Sequence, residues 1–312
     1  MKQAPFPISP ELTAIAIAYR NPASALIADE VMPRQRTPVA TKEFKYNVFN
    51  LPEAFTVPDT RVGRKGSPNE VGWSAEELTS SVEDFGLDDP IPQDDIDQGR
   101  AQGLNVQGES VEFIMNLLHL DREVRVAAVA QNAANYAASN IQALSGTDKF
   151  SDAASDPVKI LLDALDTPIV RPNIMNLGQS VWTTLRTHPK VIKAIYPNGD
   201  GSGTINRKQL ADILELEAIH VGTSFVNNAR RGQDPTFVRT WGAHVSLHYR
   251  DKMATSKRGI TWGLTVPYGK PVAGSQPDSK IGLRGGQRVR AGESVRELVT
   301  APQAGFLIQN AI

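Results

Sequence analysis

Hydrophobic and polar positions divide the chain into segments with different periodicities. Between Glu109 and Ser145 the chain contains neither proline nor glycine, and apolar residues recur at Val111, Ile114 and Leu118. This spacing matches the period of about 3.6 residues that is typical of a helix with one apolar face. The segment therefore predicts a helix of about 35 residues, roughly 50 Å long, which would serve as a structural spine.

Shorter elements are predicted on both sides of this helix. Ser9 and Pro10 form a helix-start pattern, Pro22–Val31 is a second helical candidate, and Phe44–Val48 alternates like a strand. Further helices are predicted at 151–167, 180–188, 190–195 and 207–214. Further strands are predicted at 219–221, 236–249, 260–266, 288–290, 295–299 and 305–308.

Two segments rich in proline and glycine separate these elements. Prolines punctuate residues 1–40, so this part is interpreted as an extended arm with short helical anchors. Residues 58–108 have no sustained period. Because a loop of that length is unusual inside a compact domain, we expect it to project and to pack against a partner.

Composition excludes several classes of protein. The 312 residues and 33.9 kDa suffice for one large domain or two ordinary ones. There is no cysteine, which excludes disulfides, thiolate catalysis and cysteine-ligated metal sites. No apolar run is long enough to predict a transmembrane helix, and the N-terminal residues are too rich in proline to indicate a signal peptide.

A net charge of −1 conceals a strong segregation of charge. Residues 70–97 contain ten acidic residues and no basic one, whereas residues 230–312 contain thirteen basic residues against five acidic ones. These segments are either solvated faces of one molecule or complementary surfaces, with the acidic segment of one copy on the basic surface of the next. The second reading suits a self-assembling protein.

The segregation defines candidate contacts between copies. Arg61, Arg64 and Lys65 form a basic cluster beside glycines, which is either a solubilising loop tip or a site that docks onto an acidic neighbour or nucleic acid. The remaining candidates are the acids of the loop and three arginines near the C-terminus. They are Glu76, Glu77, Glu83, Asp84, Asp88, Asp89, Arg284, Arg288 and Arg290.

Candidate chemistry is sparse. Asn198–Gln209 follows the spacing of a calcium-binding loop, but only Asp200 carries charge and Gln209 stands where a bidentate glutamate is needed. We therefore expect a glycine-rich turn between two helices. His244 and His248 lie in a strand-like run, where residues four apart are separated by about 13 Å. No catalytic residue, metal site or cofactor is predicted, and the chain is not expected to be an enzyme.

The order of the parts is more informative than any single motif. The arm ends in Ile27–Pro33, a strand pair lies around Phe44–Tyr46, and the long loop closes with Phe85–Pro90 before the long helix. An α/β segment follows and contains Asn173–Gly178, Val181, Trp182, Leu185, His188 and Pro189, and the chain ends in strands with Ala301, Pro302 and Gly305–Ile308. Across nearly its whole length the chain resembles the major capsid proteins of tailed bacteriophages.

The resemblance implies an α+β fold, the tailed-phage capsid fold. Its parts would be an N-terminal arm at 1–40, an extended β-hairpin loop at 41–108 and a peripheral domain with the spine helix at 109–167. An axial domain would follow at 168–250, and strands of the peripheral domain would return at 251–312.

The resemblance also implies a function. Such proteins self-assemble as hexamers and pentamers into an icosahedral shell around packaged double-stranded DNA, without sequence-specific DNA binding or a membrane. The implied location is the virion, after synthesis in the cytoplasm of a host bacterium, with separate scaffolding and portal proteins. The alternatives are a non-viral compartment shell of the same fold and a small-oligomer interaction module that uses the acidic loop.

Overall fold

The N-terminal part of the chain forms two helices and a strand pair. The computed structural model describes residues 6–18, 26–49, 55–64, 66–70, 75–230 and 232–312. Helix α1 is Pro10–Ala18, and the backbone oxygen of Ser9 accepts a hydrogen bond from Thr13 N at 2.9 Å, as the helix-start pattern predicts. Helix α2 covers only Ala28–Val31, and residues 22–25 of the predicted helix lie outside the described residues.

Strands β1 (Glu43–Phe49) and β2 (Ala75–Ser81) form an antiparallel ribbon, which confirms the strand predicted at 44–48. Glu43 pairs with Ser81 and Phe49 with Ala75, so residues 50–74 connect the two strands at one end. At the other end the buried side chain of Phe44 packs in a cluster that also contains Val82, Leu264, Val266 and Leu298. The ribbon is therefore anchored at its base.

The prediction that residues 58–108 form one loop is wrong for their second half. Strand β3 is Glu83–Pro92, and helix α3 is Gln93–Ala101. Because β3 pairs with residues 286–295, about two hundred positions away, its stability depends on a partner that a local pattern cannot reveal. Its sequence has no apolar alternation because most of its residues are exposed.

The spine helix, α4, is Val106–Ala130. Its 25 residues correspond to about 37 Å, so the predicted length of 35 residues is wrong at the C-terminal end. Asn135 Nδ2 donates to Val129 O at 2.8 Å, and the Tyr136 hydroxyl donates to Ala130 O at 2.5 Å. Side chains thus satisfy the last carbonyls, and the helix ends without glycine or proline.

An antiparallel sheet packs against the spine helix. Its central strand is β12 (Gly286–Val299), which pairs with β3 along one edge and with β11 (Val272–Asp278) and β10 (Gly263–Pro267) along the other. The buried face of the spine helix and α1 share a core with this sheet. Leu12, Val111, Ile114, Val289 and Ala291 belong to that core.

A second sheet forms the α/β part of the molecule. Its strand order in the described residues is β4 (Ile141–Ala143), β13 (Gly305–Gln309), β9 (Val245–His248), β5 (Ile174–Gly178) and β6 (Ala218–Gly222). The helices of this part are α5 (Pro157–Asp166), α6 (Gln179–Thr187), α7 (Pro189–Ile195) and α8 (Arg207–Leu214), close to the predicted segments. Strands β7 (Phe225–Asn227) and β8 (Phe237–Arg239) form a separate hairpin.

The last strand belongs to the second sheet. Gly305–Gln309 pairs with β9 and β4, so the last strand does not remain with the sheet of β10–β12. The physical reason is a buried apolar strand, Phe306–Ile308, that completes the core of the α/β part. The domain boundaries remain predictions.

The glycine-rich segment 198–206 is a turn between α7 and α8, as expected. Asp200 Oδ1 accepts hydrogen bonds from Ser202 N at 2.9 Å and Ser202 Oγ at 2.6 Å. Asn206 and Gln209 form a reciprocal capping box at the start of α8. Gln209 therefore has a structural role at the position where a calcium loop has a glutamate. No described helix is both long and apolar enough to cross a membrane.

Candidate assembly surfaces

The part of the extended loop that connects β1 to β2 is described at residues 55–64 and 66–70, and its polar groups form hydrogen bonds with one another. Asp59 is the centre of this arrangement: its Oδ1 accepts from Arg61 N at 2.9 Å, and its backbone oxygen accepts from Asn69 Nδ2 at 2.9 Å. Gly66 N donates to Gly63 O at 2.9 Å and closes a turn. All of the described residues 55–64 and 66–70 are exposed, so these hydrogen bonds form without a surrounding apolar core.

The loop leaves apolar and basic side chains uncovered. Every residue of 55–64 is exposed, including Phe55 at 56%, Val57 at 88% and Val62 at 47%. The guanidinium groups of Arg61 and Arg64 form no ion pair with a described residue, and Lys65 lies outside the described residues. An ordered loop with this exposed surface is typical of a segment that packs on another molecule.

The arm is attached to the spine helix through a buried carboxylate. Glu123 accepts hydrogen bonds from Ile27 N at 3.0 Å, from Ala28 N at 2.8 Å and from Trp241 Nε1 at 2.6 Å. Burial raises the pKa of Glu123, and these three donors oppose that shift. One side chain therefore joins the arm, the spine helix and the α/β part.

Trp241 reaches this position because two glycines make room for it. Gly178 and Gly222 are paired across the parallel strands β5 and β6. A Cβ atom on Gly222 would collide with the indole of Trp241, and one on Gly178 would lie 2.6 Å from the Trp241 backbone oxygen. The sheet thus accommodates a fully buried tryptophan only where both strands lack side chains.

Ion pairs fix the rest of the arm. Arg34 binds Glu293 of β12 with Nη1 at 2.5 Å, and this contact lowers the pKa of Glu293 against the opposing effect of burial. Buried Arg122 donates to Asp29 at 2.5 Å and to Met32 O at 3.1 Å. These contacts tie the arm to both the spine helix and the central strand.

A further ionic cluster ties the arm to the α/β part. Arg250 Nη1 binds Glu30 at 2.5 Å, and its Nη2 binds Glu217 at 2.8 Å. His220 Nε2 lies 3.4 Å from Arg250 Nη1 and 4.0 Å from Glu30. Burial and the adjacent Arg250 lower the pKa of His220 to about 4. His220 is therefore neutral near neutral pH.

The predicted acid–base pairing exists, but it lies within one chain. Arg290 donates to both carboxylate oxygens of Asp88 at 2.5 and 2.7 Å, and Arg284 binds Asp94 at 3.1 Å. Arg288 binds Asp278 at 2.7 Å. The antiparallel pairing of β3 with β12 places Asp88 opposite Arg290 within one chain. Contact of these arginines with the acids of an adjacent copy stays a prediction.

The remaining acids of the loop are also paired internally. Glu83 binds Arg296, Asp84 binds Lys42, Glu77 binds Lys45 at 2.7 Å, and Asp89 accepts from Ser110 Oγ at 2.6 Å. The side chain of Glu76 lies outside the described residues. Contact of these candidates with another copy stays a prediction, and it no longer follows from unpaired charge.

The charged residues that join the arm, the spine helix and the α/β part were not predicted from the sequence. Glu123, Arg122, Arg34 and Arg250 are charged groups whose partners are distant in the chain. For two of them the sequence contains a signal, because Arg122 and Glu123 interrupt the buried face of a long amphipathic helix. A charge at such a position indicates a buried polar partner.

A second uncovered apolar surface is the hairpin β7–β8. Phe225, Phe237 and Val238 are 47%, 65% and 40% exposed. The guanidinium of Arg239 lies 4.5 Å above the ring of Phe225. This basic side chain is therefore already engaged within the hairpin.

Comparison with known proteins identifies the family. The chain is 53% identical over 312 residues to the major capsid protein of Pseudomonas phage JBD67, and the alignment covers 100% of this chain and 99% of that one. The chain belongs to the family of phage major capsid proteins. No family model matches this capsid protein.

Solved structures with the same architecture agree with this assignment. A phage-related protein from Bordetella bronchiseptica RB50 superposes with a TM-score of 0.76 at 23% identity, covering 99% of both chains. The capsid structure of cyanophage P-SCSP1u gives a TM-score of 0.57 at 11% identity, covering 94% of this chain and 90% of that one. The capsid protein therefore has the predicted tailed-phage capsid fold.

Membership of this family establishes the general role of the protein. The capsid protein is a structural component of a phage capsid shell and assembles with itself in that shell, and it is not an enzyme. Its place is the capsid of the virion. These findings confirm the resemblance predicted from the order of the segments and do not support the small-oligomer module.

Proposed function

We propose that the capsid protein forms hexamers and pentamers that close into an icosahedral shell around packaged double-stranded DNA. The observation that carries this proposal is the extended loop, which is ordered by Asp59 yet exposes Phe55, Val57 and Val62. In a monomer these apolar side chains stay in contact with water, which is unfavourable. In a ring of copies each loop buries its apolar side chains on a neighbour. Every subunit therefore contributes one loop and is contacted by the loop of another subunit.

Weak contacts suit this assembly because they are repeated. Each loop offers a few apolar side chains and two arginines, which is a modest contact for one pair of copies. A closed shell repeats the contact in every subunit, so the sum is large while each step stays reversible. Reversibility allows misplaced subunits to dissociate before the shell closes.

The proposed partners follow from the same role. Separate scaffolding and portal proteins direct closure, and the packaged DNA lies inside without sequence-specific binding. A net charge of −1 supports this view of DNA, because a tight DNA liner would need a large positive charge. Synthesis and assembly take place in the cytoplasm of the host bacterium.

The test is the size of the purified protein. Size-exclusion chromatography with light scattering, followed by negative-stain microscopy, is applied to the wild type and to a variant with residues 55–64 replaced by a glycine-serine sequence of equal length. We expect capsomers or closed shells from the wild type and a folded monomer from the variant, with circular dichroism as the folding control. A wild type that stays at 33.9 kDa at all concentrations and salt strengths, also with its scaffolding protein, contradicts the proposal.

A further inference from the structure

The turn between α7 and α8 contains the one Asn–Gly sequence of the chain, Asn198–Gly199. An asparagine side chain in this position can react with its own backbone, because the nitrogen of the next residue and the side-chain Cγ close a five-membered ring. Glycine favours the attack, since it has no Cβ atom to hinder the approach of the two atoms. The sequence therefore places a reactive amide in a turn that has no other assigned chemistry.

The side chain of Asn198 is exposed and is not held by hydrogen bonds. Residues 196–200 are all exposed, and the Asn198 amide forms no hydrogen bond with a described residue. The other polar side chains of the turn are engaged: Asp200 accepts from Ser202 N at 2.9 Å, and Asn206 caps α8. The Asn198 amide is therefore free to rotate its carbonyl carbon towards the backbone.

The backbone of the turn can bring the two reacting atoms together without unfolding a helix. Gly199 N donates to Tyr196 O at 3.0 Å, and this hydrogen bond has to open before the nitrogen can attack. The bond lies at the surface, and Gly201 and Gly203 follow with φ angles of 85° and 119°. Exposed, glycine-rich backbone opens locally at a small cost in free energy. Buried Ile205 holds the far end of the turn while this happens.

We infer that Asn198 is a site of spontaneous deamidation in the folded capsid protein. Gly199 N gives up its proton to water and attacks Cγ of Asn198, so that a new C–N bond forms and the side-chain nitrogen leaves as ammonia. Water then opens the succinimide ring at one of its two carbonyls and leaves either aspartate or isoaspartate. The whole reaction consumes one water and releases one ammonia, and nothing is oxidised or reduced.

The modification changes the charge of the particle surface or interior on which this turn lies. Asp200 is the one charged residue of 196–206, so a second carboxylate at position 198 doubles the negative charge of the turn. Isoaspartate also adds a backbone carbon to it. Because a subunit in a closed shell is not replaced by newly made protein, the modified form accumulates with the age of the particle.

Peptide mass spectrometry of aged protein tests the inference. The full chain is incubated warm at neutral pH, sampled over weeks and digested with trypsin, which releases residues 194–207 as one peptide. We expect this peptide to gain the mass of an NH₂ group replaced by OH, with fragment ions that locate the change at residue 198. Isoelectric focusing of the intact chain should show a shift of one negative charge, and isoaspartyl methyltransferase should label the isoaspartate form.

Asn132 is the internal control. It is also exposed, but Ala133 follows it and its Oδ1 accepts a hydrogen bond from Ala134 N at 3.0 Å. We expect its peptide to keep the original mass over the same period. Modification at Asn132 with an unchanged Asn198 overturns the inference.

Gly199→Ala is the matched variant. Its Cβ atom would lie 3.3 Å from Tyr196 O, and the backbone at Gly199 is not left-handed, so we expect the variant to fold, with circular dichroism as the check. The methyl group should slow the loss of the amide at Asn198. Equal rates in the variant and the wild type contradict the proposed attack by Gly199 N.

A sample of the wild type unfolded in urea separates the effect of the fold from that of the sequence. We expect Asn198 to lose its amide in the folded chain as well as in the unfolded one. If only the unfolded chain reacts, the native turn protects the amide, and Asn198 is not a modification site of the folded protein.

Discussion

At the scale of single residues, Glu123 is the most connected polar group of the capsid protein. Its buried carboxylate receives two backbone N–H groups of the arm and the indole N–H of Trp241. Hydrogen bonds to a charged, buried acceptor are among the stronger polar contacts in proteins. The attachment of the arm therefore depends on one side chain of the spine helix.

Replacing this acceptor should loosen the arm. We expect Glu123→Gln to lower the free energy of unfolding by about 2 kcal/mol, because the amide NH₂ would face N–H donors in place of an oxygen. Glu112→Gln on the exposed face of the same helix is the matched control and should leave stability unchanged. Urea denaturation followed by circular dichroism measures both, and equal stabilities would contradict the role of Glu123.

His220 should make stability depend on pH. Its pKa is about 4 in the folded protein and about 6.5 in an unfolded chain, so the folded state resists protonation. The groups that face it are Arg250 and Lys252, which oppose a positive charge, and Glu30 and Glu217, which favour one. Its contribution is therefore complete above pH 6.5 and is lost as the pH falls towards 4.

Comparison of the wild type with a variant that lacks His220 measures this pH dependence of stability. Between about pH 8 and pH 5 we expect the wild type to lose about 2 kcal/mol more stability than His220→Gln does. Urea denaturation at each pH gives both values, and acidic groups that titrate in both proteins cancel. Parallel pH profiles for the two proteins would show that His220 is protonated as easily in the folded chain as in the unfolded one.

The sequence predicted little of this residue-scale network. Apolar spacing identified Val111, Ile114 and Leu118 as core positions of the helix, and all three are buried. The partners of Glu123 and Arg250 are separated from them by between 30 and 220 positions. Such contacts are set by the tertiary fold, and no local pattern contains them.

At the scale of elements, the pairing of strand β3 determines which basic residues its acidic residues contact. Its antiparallel register with β12 places Asp88 opposite Arg290, and Glu83 binds Arg296 of the same strand. Hydrogen bonds from Arg290 lower the pKa of Asp88. The acidic segment therefore completes the sheet of its own subunit.

A charge swap tests this assignment. Arg290→Glu places like charges opposite each other and should destabilise the isolated subunit by about 1 kcal/mol, since both side chains are partly exposed. Adding Asp88→Arg should recover part of the loss in a double-mutant cycle. Thermal unfolding of the four proteins checks this, and a reversal that impairs only assembly would support pairing between copies instead.

The glycine pair of the α/β sheet is a second test at this scale. Gly222→Ala should cost about 1–3 kcal/mol, because the added methyl group collides with the buried indole of Trp241. Gly63→Ala, in the extended loop, has open space around the added atom and should be neutral. Denaturant midpoints for both variants give the comparison, and a neutral Gly222→Ala would mean that the indole can move aside freely.

Elements with local signals could be predicted, and elements with distant partners could not. The capping residues of α8 and the apolar run of β13 predicted those elements close to their observed bounds. Strand β3 was missed because its partner is β12, and the end of the spine helix was missed because Asn135 and Tyr136 cap it from beyond the helix. Glycine and proline are only one way to end a helix.

At the scale of the whole molecule, the capsid protein is a folded body with surfaces that it leaves uncovered. The arm is fastened by Glu123, Arg122, Arg34 and Arg250, so the subunit has a fixed core. The extended loop and one face of the spine helix expose apolar side chains in the single chain. The order of segments indicated the family correctly, because an arm, a projecting loop and a long helix are each visible in sequence.

The basic residues Arg61 and Arg64 of the extended loop predict an effect of charge reversal on assembly. We expect Arg61→Glu with Arg64→Glu to raise the protein concentration needed for assembly, since the reversed loop would repel the acidic neighbour that the native arginines are expected to attract. The stability of the subunit should not change, because neither guanidinium has a described ionic partner in its own chain. Light scattering against concentration measures the effect, and identical assembly curves would exclude a contribution of these charges.

The most direct measurement is a cryo-electron microscopy reconstruction of particles assembled from the purified protein. We expect rings of six and five subunits in which residues 55–64 of each copy lie on its neighbour, while Asp88 and Arg290 remain paired within one chain. Particles in which the loop folds back on its own subunit, or in which the Asp88 carboxylate binds an arginine of the next copy, would contradict it.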